Sequence, residues 1–177
     1  MRGNHGLGLS EELNLIPEID ILVGTFGKAA ASTGAFVATS ATFKNFLLNH
    51  ARSFIFSTAL PPLNMAWTHF MVSKIVRMIA EREHLKQLSR NFGKLISEVS
   101  GQKIPGESQI IPLLCGSALN AVNLASQLRE IGFDVLPIRR PTVPPGGERI
   151  RFSLNSSIPL SALNPIIDLI KSQPPLL

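Results

Sequence analysis

The feature that most constrains this chain is Asp20-Ile-Leu-Val-Gly-Thr-Phe-Gly-Lys-Ala-Ala-Ala-Ser-Thr-Gly-Ala-Phe-Val37, in which a single lysine, Lys28, stands among small residues between two apolar runs. Short apolar runs bounded by turn residues read as buried strands, here at 19–23 and, after Gly34, at 35–38. Between them almost every side chain is glycine, alanine, serine or threonine. A lysine on such a loop has a flexible stem and an amine whose pKa falls when it is desolvated, which is what Schiff-base chemistry with a carbonyl requires. Its small neighbours leave room for a flat ring. The competing reading is an ordinary surface lysine on a strand-loop-strand connection, and the rest of the chain has to separate the two.

With 177 residues, 45% of them hydrophobic and 16% charged, the chain can build one domain or two small ones with real cores. No stretch of about 18 uninterrupted apolar residues reads as a membrane span. The first residues lack the apolar centre of a signal peptide, so a cytoplasmic protein is expected. The single cysteine, Cys115, ends an apolar run and reads as a buried, inert thiol. The formal charge of +5 comes from scattered lysines and arginines without the basic runs that mark nucleic-acid tails, so no nucleic-acid partner is expected.

Residues 39–52 read as a helix with Phe43, Phe46 and Leu47 on one side. In the following Ser57-Thr-Ala-Leu-Pro-Pro62, a hydroxyl residue ahead of proline is a helix-start signal, and a helix start is itself an anion site. From 62 to 99 the spacing of Met65, His69, Val72, Val76 and Ile79, then of Leu85, Leu88, Phe92, Leu95 and Ile96, predicts a pair of long helices. Trp67, His69 and His84 have no carboxylate or cysteine at metal-ligand spacing and read as packing or surface residues, so no metal site is expected.

Past Gly101 short strands and helices alternate, which makes the class α/β. A strand is expected within 108–116, then a helix capped by Ser117, carrying Leu124 and Leu128 and ended by Gly132, then a strand at 135–138. Arg149-Ile-Arg-Phe-Ser-Leu154 alternates cleanly, with Ile150, Phe152 and Leu154 on one face and Arg149, Arg151 and Ser153 on the other. A last amphipathic helix is expected at about 160–171, with Pro165 confined to its first turn, before a loose tail at 174–177.

Thr25-Phe-Gly-Lys-Ala29 followed by Gly34 resembles the lysine segment of fold type I pyridoxal-phosphate enzymes, and most closely that of the α-oxoamine synthases. Ala30 and Ala31 depart from that pattern, the first standing where a larger apolar residue is usual and the second where glycine is usual. Two further stretches carry the same resemblance in the same order: Ser57-Thr-Ala-Leu-Pro-Pro62 and Pro141-Thr-Val-Pro-Pro-Gly-Gly-Glu-Arg-Ile-Arg151.

The resemblance implies pyridoxal 5'-phosphate as cofactor, Lys28 as its covalent lysine and Thr25 as a further cofactor contact. It implies that Ser57 and Thr58 bind the cofactor phosphate of the neighbouring subunit in a homodimer. It implies that Arg151 holds the carboxylate of the amino-acid substrate, with Thr142 and Arg139 near the acyl substrate. The wording around Pro141 favours a decarboxylative condensation of L-alanine with a pimeloyl thioester, on CoA or an acyl-carrier protein; family members with other amino acids and acyl groups are the alternative. Enzymes of this kind are usually much longer, with the lysine past their middle. The chain is therefore expected to hold residues 1–80 as the C-terminal part of the cofactor-binding large domain and 81–177 as the small α/β domain. His5 has Arg2, not the family's aspartate, three residues before it and reads as a loop residue. A non-catalytic remnant, or a partner subunit lending Ser57 and Thr58, is the competing class.

Overall fold

In the computed structural model, which describes residues 2–174 and 176, the chain separates within its longest helix into two units, Met1–Arg82 and Glu83–Leu177.

The first unit begins with a loop folded around two carboxylates. Glu11 accepts hydrogen bonds from the backbone N–H groups of His5 (2.9 Å) and Leu7 (3.1 Å) and lies 2.6 Å from His5 Nδ1. Glu12 accepts from Gly3 N and from Arg2 Nε. Both glutamates belong to the one-turn helix α1 (Leu9–Glu12). Strands β1 (Ile21–Thr25) and β2 (Ala35–Thr39) then form an antiparallel ribbon whose register runs from Ile21↔Thr39 to Thr25↔Ala35. β1 starts two residues later than its apolar run, which follows a 3-10 turn at Ile16–Glu18. The expectation of buried strands fails here: Val23 is 65% exposed and Val37 50%. A two-stranded ribbon has two faces, and within the described residues neither is fully covered.

The helix expected at 39–52 is shorter. Ser40 caps α2 (Ala41–His50) by accepting the Phe43 N–H, and at Ala51 the backbone turns extended before the single turn α3 (Arg52–Ile55). Helix α4 (Pro62–Arg77) has proline in its first turn, where the missing N–H costs nothing. Its expected apolar stripe is present but open to solvent, with Met65 60% exposed. Met78 interrupts the helix, and α5 (Ile79–Ser100) follows.

The second unit is built on three antiparallel strands, β3 (Ile110–Leu114), β4 (Leu136–Ile138) and β5 (Arg149–Ser153), in the order β3-β5-β4. Helix α6 (Ala118–Glu130) starts at the Ser117 cap, whose side chain accepts the Asn120 N–H at 3.1 Å. A 3-10 turn (Leu160–Leu163) leads into α7 (Asn164–Lys171), which keeps Pro165 in its first turn as expected. Alternation along β5 turns Ile150 and Phe152 into a core with Leu88, Phe92 and Ile96 of α5, Leu124 and Leu128 of α6, and Ile166 and Ile170 of α7. The rings of Phe92 and Phe152 meet edge to face at 5.4 Å, a favoured aromatic arrangement. Cys115 is fully buried in this core, as expected, and burial pushes its thiol pKa up. Gln102 closes the outer edge of β3, its amide both donating to Leu114 O and accepting from Leu114 N at 2.9 Å. On the opposite sheet face Arg151 and Ser153 are exposed and Arg149 is half-buried.

Candidate active site

In the first unit, the end of β1 delivers Thr25 and the chain then makes a compact loop. Phe26 N donates to Gly34 O and Ser32 N to Phe26 O, both at 3.0 Å, so the loop is closed at its neck by backbone bonds. Inside it, Ala31 N donates to Lys28 O at 2.9 Å, which makes residues 28–31 a tight turn with Lys28 as its first residue. The lysine side chain is exposed, while Ala30 is buried beneath the turn. Ala31 has φ +46°, a left-handed conformation that costs a residue with a Cβ about 1 kcal/mol or more. Gly34 has φ +92°, and a Cβ there would come within 2.6 Å of Leu60. Glycine is thus required at 34 both by backbone and by space, and residue 60 packs directly on the loop.

Ser57 and Thr58 lie three to four residues ahead of Pro61, the residue preceding α4. Both are exposed, and their hydroxyls make no hydrogen bond to other described residues. The helix that follows grips the lysine loop from one face. Asn64 Nδ2 donates to Thr33 Oγ1 at 3.1 Å, Trp67 Nε1 donates to Ala31 O at 2.8 Å, and the Thr68 and Ser32 hydroxyls share a bond at 2.6 Å. Sequence reading gave Trp67 a packing or surface role and passed over Asn64 and Thr68. Their spacing of i, i+3 and i+4 places them on one helix face, but nothing in that spacing names residues 31–33 as the target.

In the second unit, β4 and β5 bring three more expected site residues into one region. Leu136 is the register partner of Arg151 and Ile138 that of Arg149, so the turn after β4 starts beside the arginines of β5. Arg139 O accepts the Thr142 N–H at 3.0 Å, and the Arg140–Pro141 peptide within this turn is cis. Arg149 is committed: its Nε donates to Gly147 O at 2.6 Å. Arg151 is exposed on the sheet face opposite Ile150 and Phe152, and its guanidinium has no partner among the described residues. Arg139 and Arg140 are nearby in sequence, Asp134 lines the same cavity as Arg151, and Glu148 is buried with one carboxylate oxygen that has no hydrogen-bond partner among the described residues. A planar guanidinium fork without an internal partner is suited to a carboxylate.

Comparison with known proteins follows the same lines. The 8-amino-7-oxononanoate synthase of Chlorobaculum parvum is 41% identical over 170 residues, which are 96% of this chain and 43% of that protein. A solved serine palmitoyltransferase of Sphingomonas wittichii matches 96% of this chain and 43% of its own, with a TM-score of 0.85 and 28% identity. The solved 8-amino-7-oxononanoate synthase of Francisella tularensis matches 97% of this chain and 50% of its own, with a TM-score of 0.83 and 25% identity. The chain thus spans less than half the length of the curated relative. The model of the family described as aminotransferase class I and II matches residues 4–170. An α/β chain with its lysine on a small-residue loop and a free arginine on a sheet face, matched over nearly its whole length, belongs to the aminotransferase class I and II family.

Proposed function

We propose that this chain carries the lysine and the carboxylate-binding arginine of a pyridoxal-phosphate-dependent acyltransferase, one that condenses L-alanine with a pimeloyl thioester to give 8-amino-7-oxononanoate, CO2 and the free thiol. The observation that carries the reading is the division of labour in β5: Arg149 is spent on the Gly147 carbonyl while the Arg151 fork stays free. The name of the relative from Chlorobaculum parvum supports the choice of reaction.

The residues of the first unit fit the cofactor. Gly27, Ala29 and Ala31 leave the space around the exposed Lys28 amine clear, and two free hydroxyls, Ser57 and Thr58, stand ahead of α4 as donors for a phosphate. When bound, pyridoxal phosphate supplies a carbonyl carbon for an amine and a ring that accepts the electron pair released at the substrate Cα. Lys28 Nζ would hold it covalently, and as a free amine the same Nζ would be the base that takes the proton from the substrate Cα. Arg151 meanwhile clamps the alanine carboxylate, fixing which Cα bond faces Nζ. Thr142 and Arg139, after β4, border the space for the acyl group. Thr25, three residues before Lys28, is a further cofactor contact. In this reading Ser57 and Thr58 serve the second subunit of a homodimer.

The test is to supply the protein with pyridoxal phosphate, L-alanine and pimeloyl-CoA and to follow amino ketone by mass spectrometry. The amino ketone is the expected product. Turnover confined to serine with a long-chain acyl-CoA would transfer the reading to the serine palmitoyltransferase type, which the similarity to the Sphingomonas wittichii structure also favours. Absence of product with every pair would refute catalysis by this chain.

A further inference from the structure

We infer that Trp67, assisted by Asn64 and Thr68, is a positioning residue for Lys28: helix α4 fixes the lysine turn by holding an alanine in a left-handed conformation it would otherwise leave. The inference rests on the reading of Lys28 as the reactive lysine. Two hydrogen bonds connect them. The Trp67 indole N–H donates to Ala31 O at 2.8 Å, and Ala31 N donates to Lys28 O at 2.9 Å. Ala31 itself has φ +46°, so its geometry is one that glycine adopts freely and alanine does not. A strained residue persists only where its surroundings over-determine it. Here the surroundings are three side chains from successive positions on one helix face, each on a successive residue of the loop: Trp67 on Ala31, Thr68 on Ser32 and Asn64 on Thr33.

Trp67 suits the task because its indole is a donor only, with two stiff torsions. Its ring lies 5.7 Å from that of Phe70, one turn further along α4, which restricts its rotation. Release of the Ala31 carbonyl would let the 28–31 turn relax toward negative φ and carry the Lys28 backbone with it. The same helix starts at Pro62, four residues after Thr58, so the element that holds the lysine turn also follows closely on the hydroxyl pair in sequence.

The experiment uses the full chain and compares Trp67→Phe, Thr68→Val and Trp67→Phe with Ala31→Gly against the unsubstituted protein. Amide hydrogen exchange of peptides covering 26–34 and 62–77 is read by mass spectrometry. Loss of one net hydrogen bond predicts exchange about two- to tenfold faster in 26–34 for Trp67→Phe, with 62–77 unchanged. Ala31→Gly in the same chain should recover most of the protection, because glycine needs no clamp at positive φ. Thr68→Val, which keeps the side-chain shape, should give a smaller acceleration confined to the same peptide. Separately, borohydride trapping with pyridoxal phosphate should put the label on Lys28 in the unsubstituted protein and lower its yield in Trp67→Phe. Unchanged exchange in 26–34 for both Trp67→Phe and Thr68→Val overturns the clamp. Label on Lys44 or Lys74 in the unsubstituted protein overturns the reading of Lys28, while the exchange result still decides the clamp.

Discussion

Replacing Arg151 by alanine tests the substrate assignment most directly, and the structure sets both its size and its control. Arg151 sits at the centre of β5, with Pro112 and Leu136 as register partners on either side, so the strand is held by its backbone and should survive the loss of the side chain. The side chain is exposed and its guanidinium has no hydrogen-bond or ion-pair partner among the described residues, so no internal polar bond is lost with it. What disappears is a charge-assisted bond to the alanine carboxylate, worth about 1.5 to 3 kcal/mol, which corresponds to a rise of roughly ten- to a hundredfold in the KM for alanine. Arg151→Lys keeps the charge but not the fork and should recover only part of the loss. Arg149→Ala is the control, because Arg149 already serves Gly147 O; it should loosen the 144–147 turn with a much smaller change in alanine KM. Steady-state kinetics with alanine varied, together with thermal melts to show that each variant is folded, decide the matter. An unchanged KM in Arg151→Ala, or a larger effect in Arg149→Ala, would refute the argument from free and committed arginines.

Three further outcomes are expected. Lys28→Ala should remove the borohydride-trapped pyridoxyl label altogether, as read by peptide mass spectrometry, and persistent stoichiometric label would mean another lysine carries it. Phe152→Ala should destabilise the second unit by about 3 to 5 kcal/mol in urea titrations followed by circular dichroism, since Phe152 is buried and loses its edge-to-face partner Phe92; a cost under about 1 kcal/mol would mean that the core collapses around the gap. For Glu11, desolvation pushes the carboxyl upward, but hydrogen bonds from His5 and Leu7 and the His5 charge outweigh it and leave the pKa below its ordinary 4.5. A depressed carboxyl contributes its stability above the unfolded value and loses it as pH falls through the lower folded value. The amide signals of His5 and Leu7 should therefore keep their folded positions as pH falls to the ordinary carboxyl value of 4.5 and shift only on the acid side of it; Glu11→Gln should abolish that step, and a step of the same size in the variant would assign it elsewhere.

What the sequence determined by itself is whatever the chain encodes over short distances. Alternation at 149–154 put Ile150 and Phe152 inside and Arg151 outside, because successive strand side chains point to opposite faces. The Ser117 cap and the first-turn prolines Pro62 and Pro165 marked where helices could begin, since each answers a local need of the first helical turn. Lys28 and its small neighbours were legible as a loop for the same reason.

Tertiary structure decided the rest. Nothing local says that β5, last of the three strands in the second unit, lies between the other two, or that Arg149 is used internally while Arg151 is not. The apolar runs of β1, β2 and α4 announced burial, yet burial is a property of what lies across from a face, and within the described residues these faces remain largely open. The grip of Trp67 on Ala31 joins residues 36 apart, and its necessity follows from a single backbone angle at Ala31. A hydrogen bond of that kind depends on where two distant segments come to rest, which only the packed chain fixes.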